Sequence, residues 1–99
     1  MLVHSVYFWL KNDLSGDDRA KFRSGIKTLA TIESTTHVFI GEPAGTEPRP
    51  IIDRTYDCGL TVVLADTVAH DAYQADPIHL RFVEDCGHLW ERVRIYDSE

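Results

Sequence analysis

At 99 residues the chain makes one domain, 1–99, whose core is modest enough that a partner subunit would add considerably to it. Hydrophobic residues at 43% and charged ones at 26% are ordinary for a soluble globular protein, while sixteen acids against ten bases, with no basic stripe, argue against nucleic acid and weakly against an anionic membrane surface. No apolar run approaches a membrane span, and the first residues lack the basic start of a signal peptide, so the expected location is cytoplasmic.

Leu2 to Leu10 reads as a strand rich in valine and aromatics, with Leu2, His4, Val6, Phe8 and Leu10 in one register and Val3, Ser5, Tyr7 and Trp9 in the other. Both sets are largely apolar, so both faces should be covered. Ser15 opens a helix with capping-box spacing to Asp18, and Phe22, Ile26 and Leu29 give it an apolar face through to about Thr31. Thr36 to Gly41 is a second strand. Gly41 to Arg54, with Pro43, Pro48 and Pro50, is a long loop or splayed hairpin tip. Its Arg49 and Arg54 suit a carboxylate-bearing ligand or, as the safer reading, acids of a second subunit. Tyr56 to Ala65 is a third strand, with Cys58, Leu60, Val62 and Leu64 opposite in register to Gly59, Thr61 and Val63.

Asp66 or Thr67 caps a short helix to about Ala75, placing Val68, Ala72 and Tyr73 near one face. Asp76 then caps another, with Pro77 at the first helical position, where its missing N–H would be unpaired anyway. His79, Phe82, Val83 and Cys86 follow at i, i+3, i+4 and i+7, the stripe that should face the core. Trp90 to Asp97 closes the chain as a strand. The order is β-α-β-β-α-β, which predicts an α+β fold with an antiparallel four-stranded sheet and helices on one face. Val3, Tyr7, Trp9, Thr61 and Val63 then lie on the face that helices do not reach. A second copy packed sheet against sheet would cover them, so a homodimer is expected.

His4 falls on the helix-facing register and His79 points inward from a helix packed there. With Tyr73 they can converge in a cleft walled by Val6, Phe8, Cys58, Leu60 and Phe82, and a cavity of roughly a few hundred Å3 is expected if this is a site. A neutral imidazole takes a proton from carbon beside a carbonyl, and a tyrosine hydroxyl holds the developing enolate. The alternative is that the histidines bond to each other, to Tyr73 or to backbone, and only order the helix. Cys86-Gly87-His88 puts a thiol near an imidazole, but no spacing resembles a closed zinc set, so no metal is expected. His88 reads as a polar helix end; His37 and His70 read as solvent-facing. Cys58 and Cys86 read as reduced core thiols, and Trp9 and Trp90 as core or interface packing. No glycine-rich phosphate loop and no Gly-x-Ser-x-Gly occurs, so no cofactor is expected.

Over nearly its whole length the chain resembles the stress-responsive dimeric α/β-barrel family, Dabb. The segments that carry the resemblance are Val3-His4-Ser5-Val6-Tyr7-Phe8-Trp9-Leu10-Lys11, Tyr56-Asp57-Cys58-Gly59-Leu60-Thr61-Val62-Val63, Ala72-Tyr73-Gln74-Ala75-Asp76-Pro77-Ile78-His79 and Arg92-Val93-Arg94-Ile95-Tyr96-Asp97. The resemblance implies a ferredoxin-like protomer and a dimeric α+β barrel of two facing sheets. One similar branch, plant polyketide cyclases, works without metal or cofactor. By that likeness His79 would be the base, Tyr73 the hydrogen-bond donor, and His4 part of the pocket for a small apolar or β-carbonyl ligand. By the same likeness, the branch's first-helix tyrosine falls near Gly25 and its third-strand histidine at Cys58, so this chain lacks both. The implied activities are cyclase, isomerase or lyase, and the alternative is a non-catalytic stress or interaction protein.

Overall fold

The computed structural model describes all 99 residues, Met1–Glu99. Strand β1 (Leu2–Leu10) leads to helix α1 (Gly16–Thr28), extended by a 3-10 turn at Leu29–Thr31. Strands β2 (Thr35–Gly41) and β3 (Cys58–Leu64) follow, then helices α2 (Thr67–Ala75) and α3 (Pro77–Cys86), a second 3-10 turn at Gly87–Leu89, and strand β4 (Trp90–Ser98). The caps are the ones the sequence signals. Ser15 Oγ accepts from the Asp18 N–H at 3.1 Å, Asp66 Oδ1 from Ala69 N–H at 2.9 Å, and Asp76 Oδ1 from Ile78 N–H at 2.8 Å.

The strands form one antiparallel sheet in the order β2-β3-β1-β4. This is a ferredoxin-like α+β fold. β1 is central, and its register sets His4 beside Val62 of β3 on one side and Asp97 of β4 on the other. Burial alternates strictly along β1 and β3, as a period of two demands when one face meets a core and the other does not. The even positions Leu2, His4, Val6, Phe8 and Leu10 are buried beneath the helices with Cys58, Leu60, Val62 and Leu64.

The opposite face holds Val3, Tyr7, Trp9, Thr61 and Val63, all half-buried, with Phe39 61% and Tyr96 58% exposed. Part of it is covered by the loop before β3. Tyr56 packs edge-on against Tyr7 at 4.9 Å, Trp9 Nε1 donates to Thr55 Oγ1 at 2.9 Å, and the Arg92 guanidinium sits 4.2 Å over the Trp9 ring. Asp57 ties that loop to β1 by accepting from the Leu10 N–H at 2.7 Å. Arg54 stays within the loop, donating to Thr46 Oγ1 at 3.0 Å.

Two helix faces differ from expectation. On α2 the inward residues are Tyr73 and, one turn earlier, Ala69, whereas Val68 is 75% exposed and Ala72 is exposed. On α3 the inward line is Ile78, Phe82 and Cys86, and Val83 is 44% exposed. The reason is geometric: spacing gives a stripe its period, but the direction from which the sheet arrives decides which residues at the stripe's edge are covered.

Candidate functional site

Under the helices the sheet meets two unlike clusters. At the α1 end Phe8, Phe22, Phe82 and Trp90 interlock, with ring centroids between 5.1 and 6.4 Å apart. Trp90 is thus partly buried and packs against the core. At the α2 end the same layer is polar. β1 supplies His4, α2 supplies His70 and Tyr73, and α3 supplies His79. The His4 ring stands 5.1 Å from His70 and 5.8 Å from Tyr73, and the Tyr73 ring 5.0 Å from His79. A cavity of about 150 Å3 lies among His4, Tyr73, Gln74 and His79, with Val6, Phe8, Leu60 and Phe82 as its apolar wall and the part-exposed Val83, Val93 and Ile95 at its mouth.

So His4, Tyr73, His79, Val6, Phe8, Leu60 and Phe82 are gathered as the sequence proposes. Cys58 is not. It occupies the expected face but sits four residues further along the sheet than Val62, beside Phe8 rather than His4. There it lines a separate cavity of about 440 Å3 with Leu10, Phe22, Ile26 and Tyr56. Burial, then the carboxylates of Glu42 and Asp57, push its thiol up to about 11, so it stays protonated. The largest hollow, about 620 Å3, runs between α1 and α3 past Lys21, Thr28, Ile78 and Arg81, and contains no histidine or tyrosine. Gly25 lines that seam, and a Cβ there would stand 2.7 Å from Cys86 Sγ. The glycine lets α1 and α3 approach closely at this seam.

Each polar group in the small cavity is tuned by its surroundings. Asp97 Oδ1 accepts from His4 Nδ1 at 2.5 Å, with His4 buried and the Asp97 side chain 45% exposed. A carboxylate can only accept, so the bond places a proton on Nδ1 and turns Nε2 away from Asp97. Burial pushes the Tyr73 hydroxyl up to about 12, which keeps it a donor at neutral pH. For His79, burial first and the neighbouring His4 second hold the pKa below the ordinary value of 6.5. The Gln74 backbone nearby pulls that pKa part of the way back up, but the buried Nδ1 makes no well-formed hydrogen bond within the protein. Such an orphan costs about 1–3 kcal/mol unless something outside the chain satisfies it.

Sequence reasoning missed two members. Asp97 lies 93 positions from His4, and only the pairing of β4 with β1 brings them together. The β-α-β-β-α-β order itself carried that signal, because it sets the last strand antiparallel to the first. His70 is corrected from solvent-facing to an inward-leaning ring whose side chain is 19% exposed. Ala69 and Tyr73 turn α2 so that His70 flanks the buried line. His37 is exposed, as expected, and His88 is exposed in the 3-10 turn that follows α3.

The model of the stress responsive A/B barrel domain family, Dabb, matches residues 2–99. The chain belongs to that family. Among solved structures, a Dabb family protein with a ferredoxin-like fold from Mesorhizobium loti is 27% identical, with a TM-score of 0.78 over 99% of this chain and 94% of that one. A dimeric ferredoxin-like protein of unknown function from Thermobifida fusca superposes with a TM-score of 0.79 at 16% identity, covering 98% and 88% of the two chains. The hydroxynitrile lyase of Passiflora edulis does so with 0.78 at 15%, covering 98% and 90%. No curated protein sequence matches the chain. No helix of this Dabb protein is long and apolar enough to cross a membrane.

Proposed function

We propose that this Dabb protein is a cytoplasmic homodimer, paired through the open sheet face. In this reading each subunit binds the small polar head of a mainly apolar ligand between sheet and helices and performs cofactor-free acid-base chemistry on it. The observation that carries the reading is the buried, unpartnered Nδ1 of His79 beside a tyrosine that burial keeps protonated. A buried acceptor left open by the fold is what a ligand's C–H or O–H can occupy. His79 Nδ1 takes the proton from the carbon between two carbonyls, the electron pair moves onto a carbonyl oxygen, and the Tyr73 O–H bonds to that enolate oxygen. The proton then returns from His79 to carbon or to a leaving group. His4, fixed by Asp97, offers its Nε2 as a further polar contact. The 1,3-dicarbonyl class fits because its acidic carbon sits between two acceptors. A structural neighbour, the Passiflora protein, is a hydroxynitrile lyase.

The cavity is about 150 Å3, about five waters' worth and smaller than the few hundred Å3 expected of a site. It therefore holds a head group, and the apolar remainder lies over Val83, Val93 and Ile95. The same small volume is the observation that favours the second reading, a non-catalytic dimer whose histidines stabilise the fold. Proton–deuterium exchange at the central carbon of a 1,3-diketone, followed by NMR in D2O, separates the two. Exchange should accelerate with the wild-type chain and fall by about 100-fold or more in His79→Leu. Equal rates with and without protein across a panel of such diketones would decide for the structural reading.

A further inference from the structure

His70 has no part in the chemistry proposed above, yet it leans on the residue that Asp97 orients. One ligand atom each from His4, His70 and Asp97 lies within 4.8 Å of the other two. Three elements converge to achieve this: β1, α2 and β4. The geometry points to a site for a divalent first-row transition ion, of the zinc, cobalt, nickel or copper type, held by His4, His70 and Asp97 with its remaining positions open to water. Two imidazoles and one carboxylate select this class, since calcium and magnesium demand all-oxygen cages.

The donors are close to the spacing such an ion imposes. With metal–ligand bonds of about 2.0–2.2 Å, neighbouring donors on a tetrahedral ion stand about 3.3 Å apart. His4 Nδ1 and Asp97 Oδ1, now at 2.5 Å, would open by about 0.8 Å. The widest pair, at most 4.8 Å, would close by about 1.5 Å. The groups that must move are the ones least restrained. Asp97 is half-exposed on an edge strand, and His70 is held only by long contacts, 3.3 Å to exposed Asp71 and 3.4 Å to Gln74. His4, between two strands, stays in place.

The ion takes the place between His4 Nδ1 and Asp97 that a proton now holds: the ligating imidazole is neutral with its proton on Nε2, Asp97 contributes its carboxylate, and His70 adds a neutral lone pair. The groups facing His4 are His70 and Tyr73 of α2, His79 of α3 and Asp97 of β4, so one divalent ion with one carboxylate and two neutral imidazoles leaves the occupied site with a net charge of +1 in a chain of net charge −6. The inference goes beyond the acid-base reading and does not rest on it, because ion binding is measured without any substrate.

Calorimetric titration of the untagged chain with zinc chloride tests it, with cobalt chloride added for its visible spectrum. One ion per chain should bind. His70→Ala should weaken zinc by more than about 100-fold, since loss of outer-shell partners alone costs about 10- to 100-fold. Asp97→Asn should weaken it similarly, and His37→Ala, at an exposed histidine on β2, should bind as the wild type does. His70 lies at the margin of α2, and far-UV circular dichroism checks that its substitution leaves the fold intact. Failure of the folded wild type to bind zinc, His70→Ala binding as tightly as wild type, or loss of binding in His37→Ala would each overturn the site. None of these results bears on diketone exchange, so this inference and the proposed function fail separately.

Discussion

Two ends of one layer face each other across a few residues of β1. Around Phe8 the space between sheet and helices is filled by four interlocked aromatic rings; around His4 it holds three imidazoles, a phenol and a void. Both ends share the strand, the face and the helix α3. If stability alone were at stake, the second end would resemble the first, because apolar side chains of similar volume pack there without unpaired nitrogens. The contrast teaches that the fold is carried by the aromatic end, and that the histidine end is the place to seek function.

Substitutions can break this contrast or sharpen it. The largest effect is expected at the aromatic end: Phe22→Ala, at a ring in contact with Phe8, Phe82 and Trp90, should cost about 3–5 kcal/mol in chemical denaturation. A cost below about 1 kcal/mol would mean that this cluster does not carry the core.

Next comes the seam beside it. Gly25→Ala gains about 1 kcal/mol of helix propensity but drives a methyl group against Cys86 Sγ at 2.7 Å, so a net loss of about 1–2 kcal/mol is expected. Replacing Cys86 by Ala in the same chain should recover much of that loss, and a double-mutant cycle reads the coupling.

The smallest effect on stability belongs to the histidine end. His79→Leu removes an unpaired buried nitrogen, so stability near pH 7 should stay within about 1 kcal/mol of wild type while diketone exchange disappears. The pH dependence follows from burial. The folded-state pKa of His79 lies below 6.5, so the unfolded chain binds more protons as pH drops through that value. This histidine therefore subtracts stability below about pH 6.5 and nothing well above it. Melting temperatures from pH 7.5 down to 5 should fall less steeply in His79→Leu than in wild type. Parallel curves would show that the imidazole is not held neutral.

Most of the fold was legible because it rests on signals of short range. Alternation identified β1 and β3 within two residues at each end, and Ser15, Asp66 and Asp76 announced their helices through capping chemistry. The site was legible only in part. His4, Tyr73 and His79 could be brought together from register and helical phase, but Asp97 required the pairing of the first strand with the last. Cys58 shows the limit in another form. Its face was readable from alternation, whereas its distance from His4 along the sheet depends on which residues of β1 and β3 stand opposite. The orientation of α2 was missed because Val68 and Ala72 satisfy the same periodicity as Ala69 and Tyr73. Only the docked sheet distinguishes them.

The partners in the His4–Asp97 bond are anchored unequally. His4 sits on a strand hydrogen-bonded along both edges, while Asp97 sits on one bonded along a single edge, near its end. Strand ends of that kind fray at little cost, whereas the middle of a sheet opens only with the whole protein. The imidazole is therefore a fixed post and the carboxylate a latch. Amide hydrogen exchange should be slow at the histidine and orders of magnitude faster at the acid. The ring can lose its counter-group and regain it without any rearrangement of the core.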